Sequence, residues 1–421
     1  MQLNRREFLK AASAAGCLAS FANISYIADG AEMRPGKPVL VVVFLRGGAD
    51  GLHIVGPSNN SDYIAARPPE LRVTDSGARA GITFEQRLDP ASEFRFHPDA
   101  APLADLYRAE RLAILNAIGL KAGTRSHFVA QDMIERGLSD EKQLASTESG
   151  WLARSVTTIG GHISAFSANT SPVYALHGIK NVLSVPDISA GLGVPWGTAT
   201  SEFLRSISLS GSSTVHRATL EALDILNVVD RGILRDDSGK IIQYRPSGQA
   251  SYDGSGDLMR SLTSVVRLAK MDVGLSVACI DHGGWDTHEG QSGRMSSQLK
   301  QLSIGLTAFH EDMAASNHKV VILVMTEFGR RLRANKSGGT DHGHGGCWFV
   351  LGDGVRGGNM YGKWPGLSTQ VLDQGVDLAV TTDYRAVLTE TLFASDMPMK
   401  DSFPAWRPET PPLGIFANRH Q

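Results

Sequence analysis

Apolar runs that alternate with helix-like segments constrain the fold of this chain most. The run from Pro38 to Leu45 is apolar at almost every position, which is typical of a strand buried on both faces of a sheet. Later runs predict further strands at Leu112 to Ile118, Pro172 to Leu176, Val273 to Ile280, Lys319 to Met325 and Trp348 to Leu351. We therefore expect an α/β fold, a three-layer α/β/α sandwich with a mostly parallel sheet.

Helical patterns fill the intervals between these strands. They are predicted at Ala101 to Glu110, Phe128 to Arg136, Thr214 to Val228, Asp257 to Lys270, Ser296 to Ala315 and Tyr384 to Phe393. Asp383 is the predicted N-cap of the last helix. Residues 56–98 and 179–213 are irregular in pattern and predict insertions. No break in composition marks a second domain, so residues 31–421 are expected to form a single domain.

The first 30 residues are predicted to be a twin-arginine signal segment. Arg5 and Arg6 precede Phe8, and an alanine-rich apolar stretch follows. An amphipathic N-terminal helix is the alternative, and lipid anchoring at Cys17 is an alternative to simple cleavage after Ala22. We expect the twin-arginine translocase as a partner during export and a periplasmic or otherwise exported protein.

The charge balance argues against two classes of partner. Lys and Arg number 41 and Asp and Glu 43, so no bulk positive field attracts nucleic acid or anionic membranes. After the signal segment no stretch approaches the ~20 apolar residues that a membrane span needs. We expect neither nucleic-acid binding nor a transmembrane span in the mature chain.

Acidic and histidine-rich motifs follow three of the predicted strands. Asp50 lies in a glycine-rich turn after the first strand, Asp286 and His288 follow Val273 to Ile280, and Glu327 follows Lys319 to Met325. Ligand sites of open α/β sheets gather at the carboxyl ends of strands, so these side chains are expected to converge. Their oxygen and nitrogen donors predict a divalent metal site, in which zinc, calcium, magnesium and manganese are not distinguished.

A second group of donors, Asp341, His342 and His344, stands among glycines before the last strand and is expected to join that site. For two of the predicted ligands, a structural role is the alternative. Asp50 would alternatively satisfy its own turn, and Glu327 would pair with an arginine such as Arg330.

A candidate nucleophile lies between the Leu112 strand and the next helix. Thr124 and Ser126 offer hydroxyls near the start of that helix, where free amides and the helix dipole favour an anion. Arg125 is placed to contact such an anion. A plain N-cap is the alternative for Ser126.

These motifs together resemble the bacterial family named domain of unknown function 1501, grouped with the alkaline phosphatase-like (sulfatase-like) clan. The resemblance is carried by FLRGGADGL at 44–52, SHFVAQDMIERG at 126–137, GGWDTH at 283–288, TEFGRR at 326–331, GTDHGHGG at 339–346 and TTDYRAVL at 381–388.

The clan implies an alkaline phosphatase-like fold and a two-metal site that binds a phosphoryl or sulfuryl group. Asp50, the Ser126 or Thr124 hydroxyl, Asp286 with His288, and His342 or His344 match its motif order. Glu327 and Phe328 stand where an Asp-His pair is expected, which puts the second metal in doubt unless Asp341 or His342 substitutes.

The resemblance implies an exported metal-dependent hydrolase of phosphate or sulfate esters, acting on a small-molecule or polymer ester. A cysteine is absent from the nucleophile position, so a formylglycine-type sulfatase is not expected. The alternative is a non-catalytic envelope binding or assembly protein that retains the fold.

Export is testable with Arg5→Lys/Arg6→Lys. The paired guanidinium groups are what the translocase receptor reads, so unprocessed precursor should accumulate in the cytoplasm. Immunoblots of periplasmic and cytoplasmic fractions measure this. A normal periplasmic yield of the double variant would contradict the signal assignment.

Overall fold

The computed structural model describes residues 36–156, 162–254, 256–399, 401–407 and 411–417. The predicted signal segment, with Arg5, Arg6 and Cys17, lies outside the described residues. None of the described helices is both long enough and apolar enough to cross a membrane.

The strands of the described residues form three sheets. They are β1 (Val39–Leu45), β2 (Val55–Pro57), β3 (Ile82–Thr83), β4 (Phe94–Phe96), β5 (Leu112–Gly119), β6 (Ala165–Ser167), β7 (Val182–Ser184), β8 (Val277–His282), β9 (Val320–Met325), β10 (Arg330–Ala334), β11 (Thr340–His342), β12 (Gly346–Gly352), β13 (Met360–Tyr361) and β14 (Thr382–Asp383).

The α-helices run between and after these strands. They are α1 (Gly51–Ile54), α2 (Ser61–Ala66), α3 (Ala101–Arg108), α4 (His127–Arg136), α5 (Trp151–Ser155), α6 (Thr198–Leu209), α7 (Thr214–Gly232), α8 (Asp257–Lys270), α9 (Gln291–Ala315) and α10 (Tyr384–Ala394).

The largest sheet has nine strands and is mostly parallel. Its order is β13-β5-β12-β9-β1-β8-β6-β7, with β14 also paired to β5. β1 runs parallel to both β8 and β9, and β12 runs antiparallel to both β5 and β9. β10 and β11 form a separate hairpin, and β2, β4 and β3 form a small sheet within the predicted insertion 56–98.

Side chains of β1 alternate between two cores on opposite faces of the sheet. Val41 and Val43 pack in one core with residues of α3, α7, α8 and α9. Leu40 and Val42 pack in the other with residues of α4, α5 and α10. The period of two along a fully buried strand explains its unbroken apolar sequence. The predicted α/β/α sandwich with a mostly parallel sheet is confirmed.

Some predicted boundaries were wrong. Pro172 to Leu176 contains no strand, and Tyr174–Leu176 is a 3-10 turn. A proline has no N–H to donate to a sheet, which weakens a strand at such a short run. The strands of this region are β6 and β7. Helix α9 begins at Gln291 and not at Ser296. Asp383 caps α10 as predicted, because its side chain accepts from the Arg385 N–H.

One edge of the sheet collects the predicted site motifs. β1, β8 and β9 are parallel, so the segments after Leu45, His282 and Met325 leave the sheet at the same edge. β12 runs the other way, and Gly346 at its amino end pairs with Ile118 near the carboxyl end of β5. The loop before β12 therefore reaches the edge that the loops after the parallel strands occupy.

Candidate metal centre

Three imidazoles converge on one carboxylate at this edge. Nε2 of His342 lies 2.8 Å from Nε2 of His127 and 2.8 Å from Nε2 of His288. Oδ1 of Asp286 lies 3.0 Å from the ring nitrogen of His288, 3.3 Å from that of His342 and 3.4 Å from that of His127. We call these four residues the His-Asp cluster.

The second ring nitrogen of each histidine faces an oxygen acceptor. Nδ1 of His127 lies 2.7 Å from Glu327 Oε1, and Nδ1 of His288 lies 3.1 Å from Asp341 Oδ1. Nδ1 of His342 lies 2.9 Å from the carbonyl oxygen of Arg125. Carbonyl and ionised carboxylate oxygens only accept, so each Nδ1 is assigned as the donor. In its neutral form, each ring then directs an Nε2 lone pair into the cluster.

Asp286 is held as an anion by Arg330. Nη2 of the buried Arg330 donates to Asp286 Oδ1 at 2.6 Å. Burial opposes ionisation of Asp286, but the hydrogen bond and charge of Arg330 lower its pKa to about 2. The carboxylate is therefore ionised and available at any physiological pH.

Glu327 is fully buried and anchors the first imidazole. Its Oε1 accepts from Gln131 Nε2 at 2.7 Å and from the Gly47 N–H at 2.9 Å, in addition to His127. Burial works to raise the pKa of Glu327, yet these hydrogen bonds lower it below its usual value. In turn Glu327 raises the pKa of His127, although burial opposes the charged ring. Glu327 thus orients a cluster residue from behind.

Asp341 performs the same task for His288 on the exposed side. The Asn335 amide donates to Asp341 Oδ1 at 3.1 Å, and this hydrogen bond is the main reason that the pKa of Asp341 is lowered. The pKa of His342 is also lowered, first by burial and then by the charge of His127. A lowered pKa keeps the His342 ring neutral, as a ligand requires.

Phe328 packs beneath two of the imidazoles. Its ring centroid lies 4.8 Å from that of His127 and 5.1 Å from that of His342, and the side chain is buried. The phenyl ring therefore fills the space next to the cluster with apolar atoms. Among the described residues one group of His, Asp, Glu or Cys side chains has the spacing of a metal site, and it contains His127, Asp286 and His342.

Asp50 lies apart from the cluster in a buried ion pair. Its two carboxylate oxygens accept from Arg67 at 2.7 and 3.1 Å, and Gln291 Nε2 donates to Oδ2 at 2.7 Å. Both charged side chains are fully buried. Asp50, which was predicted to be a metal ligand, is thus paired with Arg67 from the 56–98 insertion.

His344 and the Arg125 guanidinium are also placed outside the cluster. Nε2 of His344 lies 2.6 Å from the Leu120 carbonyl oxygen, and its Nδ1 lies 2.9 Å from Asp373 Oδ2. The Arg125 guanidinium pairs with the buried Asp377, with Nε 2.9 Å from Oδ2. Arg125 reaches the cluster through its carbonyl oxygen alone.

The two candidate hydroxyls stand at the start of α4. Ser126 is the N-cap residue, but its side chain makes no capping hydrogen bond, and the residue is exposed. Thr124 Oγ1 accepts from the Ser126 N–H at 3.3 Å. Ser126 directly precedes His127 of the cluster in sequence, and its hydroxyl is not used for capping.

His127 is the cluster residue that the sequence analysis missed. It lies in the segment between β5 and α4 that the sequence singled out, but as the neighbour of two hydroxyls and not as a donor. The available signal was its position after a buried strand, the same signal that identified Asp286 and His288.

The donor set of the His-Asp cluster suits a metal ion. Metal-bound histidines usually donate their other N–H to a carboxylate or a backbone carbonyl, as all three rings do here. One ring nitrogen each of His127 and His342 and a carboxylate oxygen of Asp286 all lie within 4.8 Å of one another. Mixed nitrogen and oxygen donors of this kind suit zinc, whereas calcium and magnesium prefer oxygen ligands alone.

The chain forms an α/β/α sandwich with the His-Asp cluster at one edge of its sheet. A family model matches part of this chain. Residues 261–392 match the family described as "Protein of unknown function (DUF1501)". The resemblance predicted from the motifs is confirmed over this segment, which includes Asp286, His288 and His342. No curated protein matches the sequence significantly.

Several solved structures align with the chain at low identity. Integral membrane protein lipooligosaccharide phosphoethanolamine transferase A from Neisseria meningitidis aligns with a TM-score of 0.36 and 11% identity, over 95% of this chain and 63% of that one. The soluble domain of that transferase aligns with a TM-score of 0.35 and 10% identity, over 89% of this chain and 92% of that one. A 2-O GAG sulfatase aligns with a TM-score of 0.25 and 11% identity, over 76% of this chain and 65% of that one. The chain thus spans less than two thirds of the full transferase.

Asp50→Asn tests the placement of Asp50. Removing one charge of a fully buried pair leaves Arg67 uncompensated, so the free energy of unfolding should fall by about 3–5 kcal/mol. Bound metal per folded chain should stay at the parental level. Urea unfolding and elemental analysis measure the two quantities.

The double variant Asp50→Asn/Arg67→Met is the matched control, since it removes both charges and should recover much of the lost stability. Loss of metal with unchanged stability in Asp50→Asn would instead identify Asp50 as a ligand.

Proposed function

We propose that the protein is an exported metal-dependent hydrolase of phosphate or sulfate esters, and that the His-Asp cluster holds its metal ion. The observation that carries this proposal is the convergence of His127 Nε2, His342 Nε2 and Asp286 Oδ1, which lie 2.8–3.4 Å from one another. His288 Nε2 adjoins them, 2.8 Å from His342 Nε2 and 3.0 Å from Asp286 Oδ1. Lone pairs this close repel one another, and a cation between them removes that repulsion.

Zinc, or a transition metal of similar preference, fits the cluster best. Imidazole nitrogens bind such ions well, and Asp286 supplies an ionised oxygen. A metal held here would polarise an ester oxygen and lower the pKa of a nearby hydroxyl. Of the metals left open by the sequence, calcium and magnesium are disfavoured because only one of the four donors is oxygen.

Ser126 is the proposed nucleophile. Its exposed hydroxyl is free of capping, stands beside His127, and precedes the first-turn amides of a ten-residue helix. Those amides and the helix dipole favour the negative charge of a phosphoryl or sulfuryl group. In the proposed reaction Ser126 Oγ loses its proton to solvent and forms a bond to phosphorus or sulfur, while the bond to the leaving oxygen breaks and that oxygen takes a proton from solvent to leave as the alcohol. Water then hydrolyses the seryl ester.

The chain's own residues position this chemistry. Glu327 and Asp341 fix the orientations of His127 and His288, and the Arg125 carbonyl fixes that of His342. Arg125 thereby couples the backbone next to Ser126 to a metal ligand. We assign its guanidinium, which pairs with Asp377, to holding this loop and not to contacting the ester.

A non-catalytic envelope binding protein is the second candidate. The observation that favours it is Phe328, whose ring packs against His127 and His342 where the clan's motif order places a second metal ligand. In that case the cluster would hold one structural metal. Both candidates predict a bound metal, so a measurement of metal content cannot separate them. Only a measurement of turnover can.

Metal content tests the cluster. His127→Ala, Asp286→Asn and His288→Ala should each weaken metal affinity by at least about tenfold, because each removes one of four donors. Elemental analysis of periplasmic protein and competition with a chelating dye measure the effect. His344→Ala is the control, since His344 lies outside the cluster and should leave metal content unchanged. Parental metal content in all three cluster variants would refute the metal site.

Turnover tests the nucleophile. On a panel of phosphomonoesters, phosphodiesters and sulfate esters, Ser126→Ala should lower kcat by several orders of magnitude with metal content intact. Thr124→Ala is the matched control, because Thr124 is the competing hydroxyl two residues earlier, and it should retain most of kcat. The reverse result would transfer the nucleophile to Thr124. A metal-loaded protein inactive on the whole panel would favour the non-catalytic candidate.

A further inference from the structure

A second cleft lies away from the His-Asp cluster, between the start of α8 and the segment 241–254. Its volume is about 570 Å³. Apolar and aromatic side chains of Tyr244, Tyr252 and Met259 line it together with the guanidinium-bearing Arg267. The cleft shares no lining residue with the His-Asp cluster.

Arg267 makes no salt bridge and no hydrogen bond among the described residues. The residue is 7% exposed, and in the described chain no carboxylate oxygen lies within 4 Å of its guanidinium and no hydrogen bond engages it. Burial lowers the pKa of Arg267, and Asp187, which also lines the cleft, opposes this by its charge without forming a salt bridge. Asp187 accepts from the Ser189 N–H at 2.7 Å and from Ser264 Oγ at 3.3 Å. The guanidinium nitrogens of Arg267 are accessible from the cleft, so their N–H donors are available to an anion from outside the chain.

The walls of the cleft are fixed by the buried carboxylate of Asp312. It accepts from Tyr244 OH at 2.7 Å, from Lys270 Nζ at 2.5 Å and from the Ser247 N–H at 2.8 Å. Tyr252 OH lies 3.3 Å from the same carboxylate. These contacts clamp both tyrosines of the 241–254 segment to α8 and α9. The rings are therefore held in place before a ligand arrives, which lowers the entropy cost of binding.

The aromatic wall lies next to the charged group. The Tyr244 ring centroid is 5.9 Å from Arg267 Cζ. A ligand whose anionic group contacts the guanidinium would thus place its remaining atoms against tyrosine and methionine side chains. Arginine presents a planar fork that matches carboxylate, sulfonate and phosphate oxygens in pairs.

We propose that this cleft is a binding site for a small organic anion, in which Arg267 contacts a carboxylate, sulfate or phosphate group and the apolar part of the ligand lies against Tyr244, Tyr252 and Met259. The site is separate from the proposed ester hydrolysis. It would serve to hold a ligand or a distant part of a substrate, and it requires no metal.

Calorimetric titration of the exported protein tests the site with three probes of one shape. Benzenesulfonate, benzoate and phenyl phosphate each carry an anion on an aromatic ring, and benzenesulfonamide is the neutral counterpart. At least one anion should bind, at least about tenfold more tightly than the sulfonamide, because only the anion pairs with Arg267. Failure of all three anions to bind at 10 mM, on the order of the weakest useful affinity, would overturn the proposal.

Arg267→Met keeps an apolar stem and removes the guanidinium charge, so it should abolish the preference for the anion. Arg205→Met is the matched control, since Arg205 is an arginine outside the cleft that pairs with Asp224, and it should leave binding unchanged. Tyr252→Ala should weaken the binding of benzenesulfonate more than the binding of inorganic sulfate. This comparison tests the site even if Arg267→Met does not fold.

His288→Ala distinguishes this site from the proposed metal centre. Anion binding should persist in that variant, whatever its metal content. Loss of binding in His288→Ala, or retention of anion preference in a folded Arg267→Met, would show that the probe lies elsewhere and would overturn the proposal.

Discussion

The arrangement of the His-Asp cluster depends on the buried guanidinium of Arg330. It donates to the carbonyl oxygens of Gly48 at 2.6 Å, Thr340 at 2.8 Å and Trp285 at 3.1 Å, and to Asp286 at 2.6 Å. These acceptors belong to the turn after β1, to β11 and to the loop after β8. One planar fork thus ties together segments that are far apart in sequence. Because the acceptors are largely buried backbone oxygens, no flexible or monodentate group could satisfy them all. The position of Asp286 is therefore set by loop packing before any ion binds.

Charge balance explains why the cluster suits a dication. Asp286, Glu327 and Asp341 all have lowered pKa values and are ionised, and the guanidinium of Arg330 pairs with Asp286. Two negative charges are left in excess around three imidazole rings. A divalent ion balances that excess without a proton being added to any histidine. The outer carboxylates orient the rings through Nδ1, and they would also compensate the charge of the proposed ion.

Sequence patterns predicted the scaffold well because buried strands leave an unambiguous signature. The edge of the sheet followed from it, and the structure places Asp286, His288 and His342 together there. What could not be read from the sequence is pairing between distant segments. Asp50 meets Arg67, which belongs to an insertion without periodic pattern. His127 gains its role only through Glu327, which lies 200 residues away in sequence. In each case a side chain's neighbour in space, and not its own type, decides its function.

The antiparallel strand β12 explains how a loop before a strand joins loops that follow strands. Gly346 at its amino end pairs with Ile118, near the carboxyl end of β5. If β12 ran parallel to β9, its seven residues would carry that amino end to the opposite edge, roughly 20 Å away at ~3.3 Å per residue. His342 could not then contact His127 and His288. The general rule that ligands gather at carboxyl ends would not have located His342 either. The reversal of this one strand is therefore a requirement of the cluster, since without it the third imidazole would be lost.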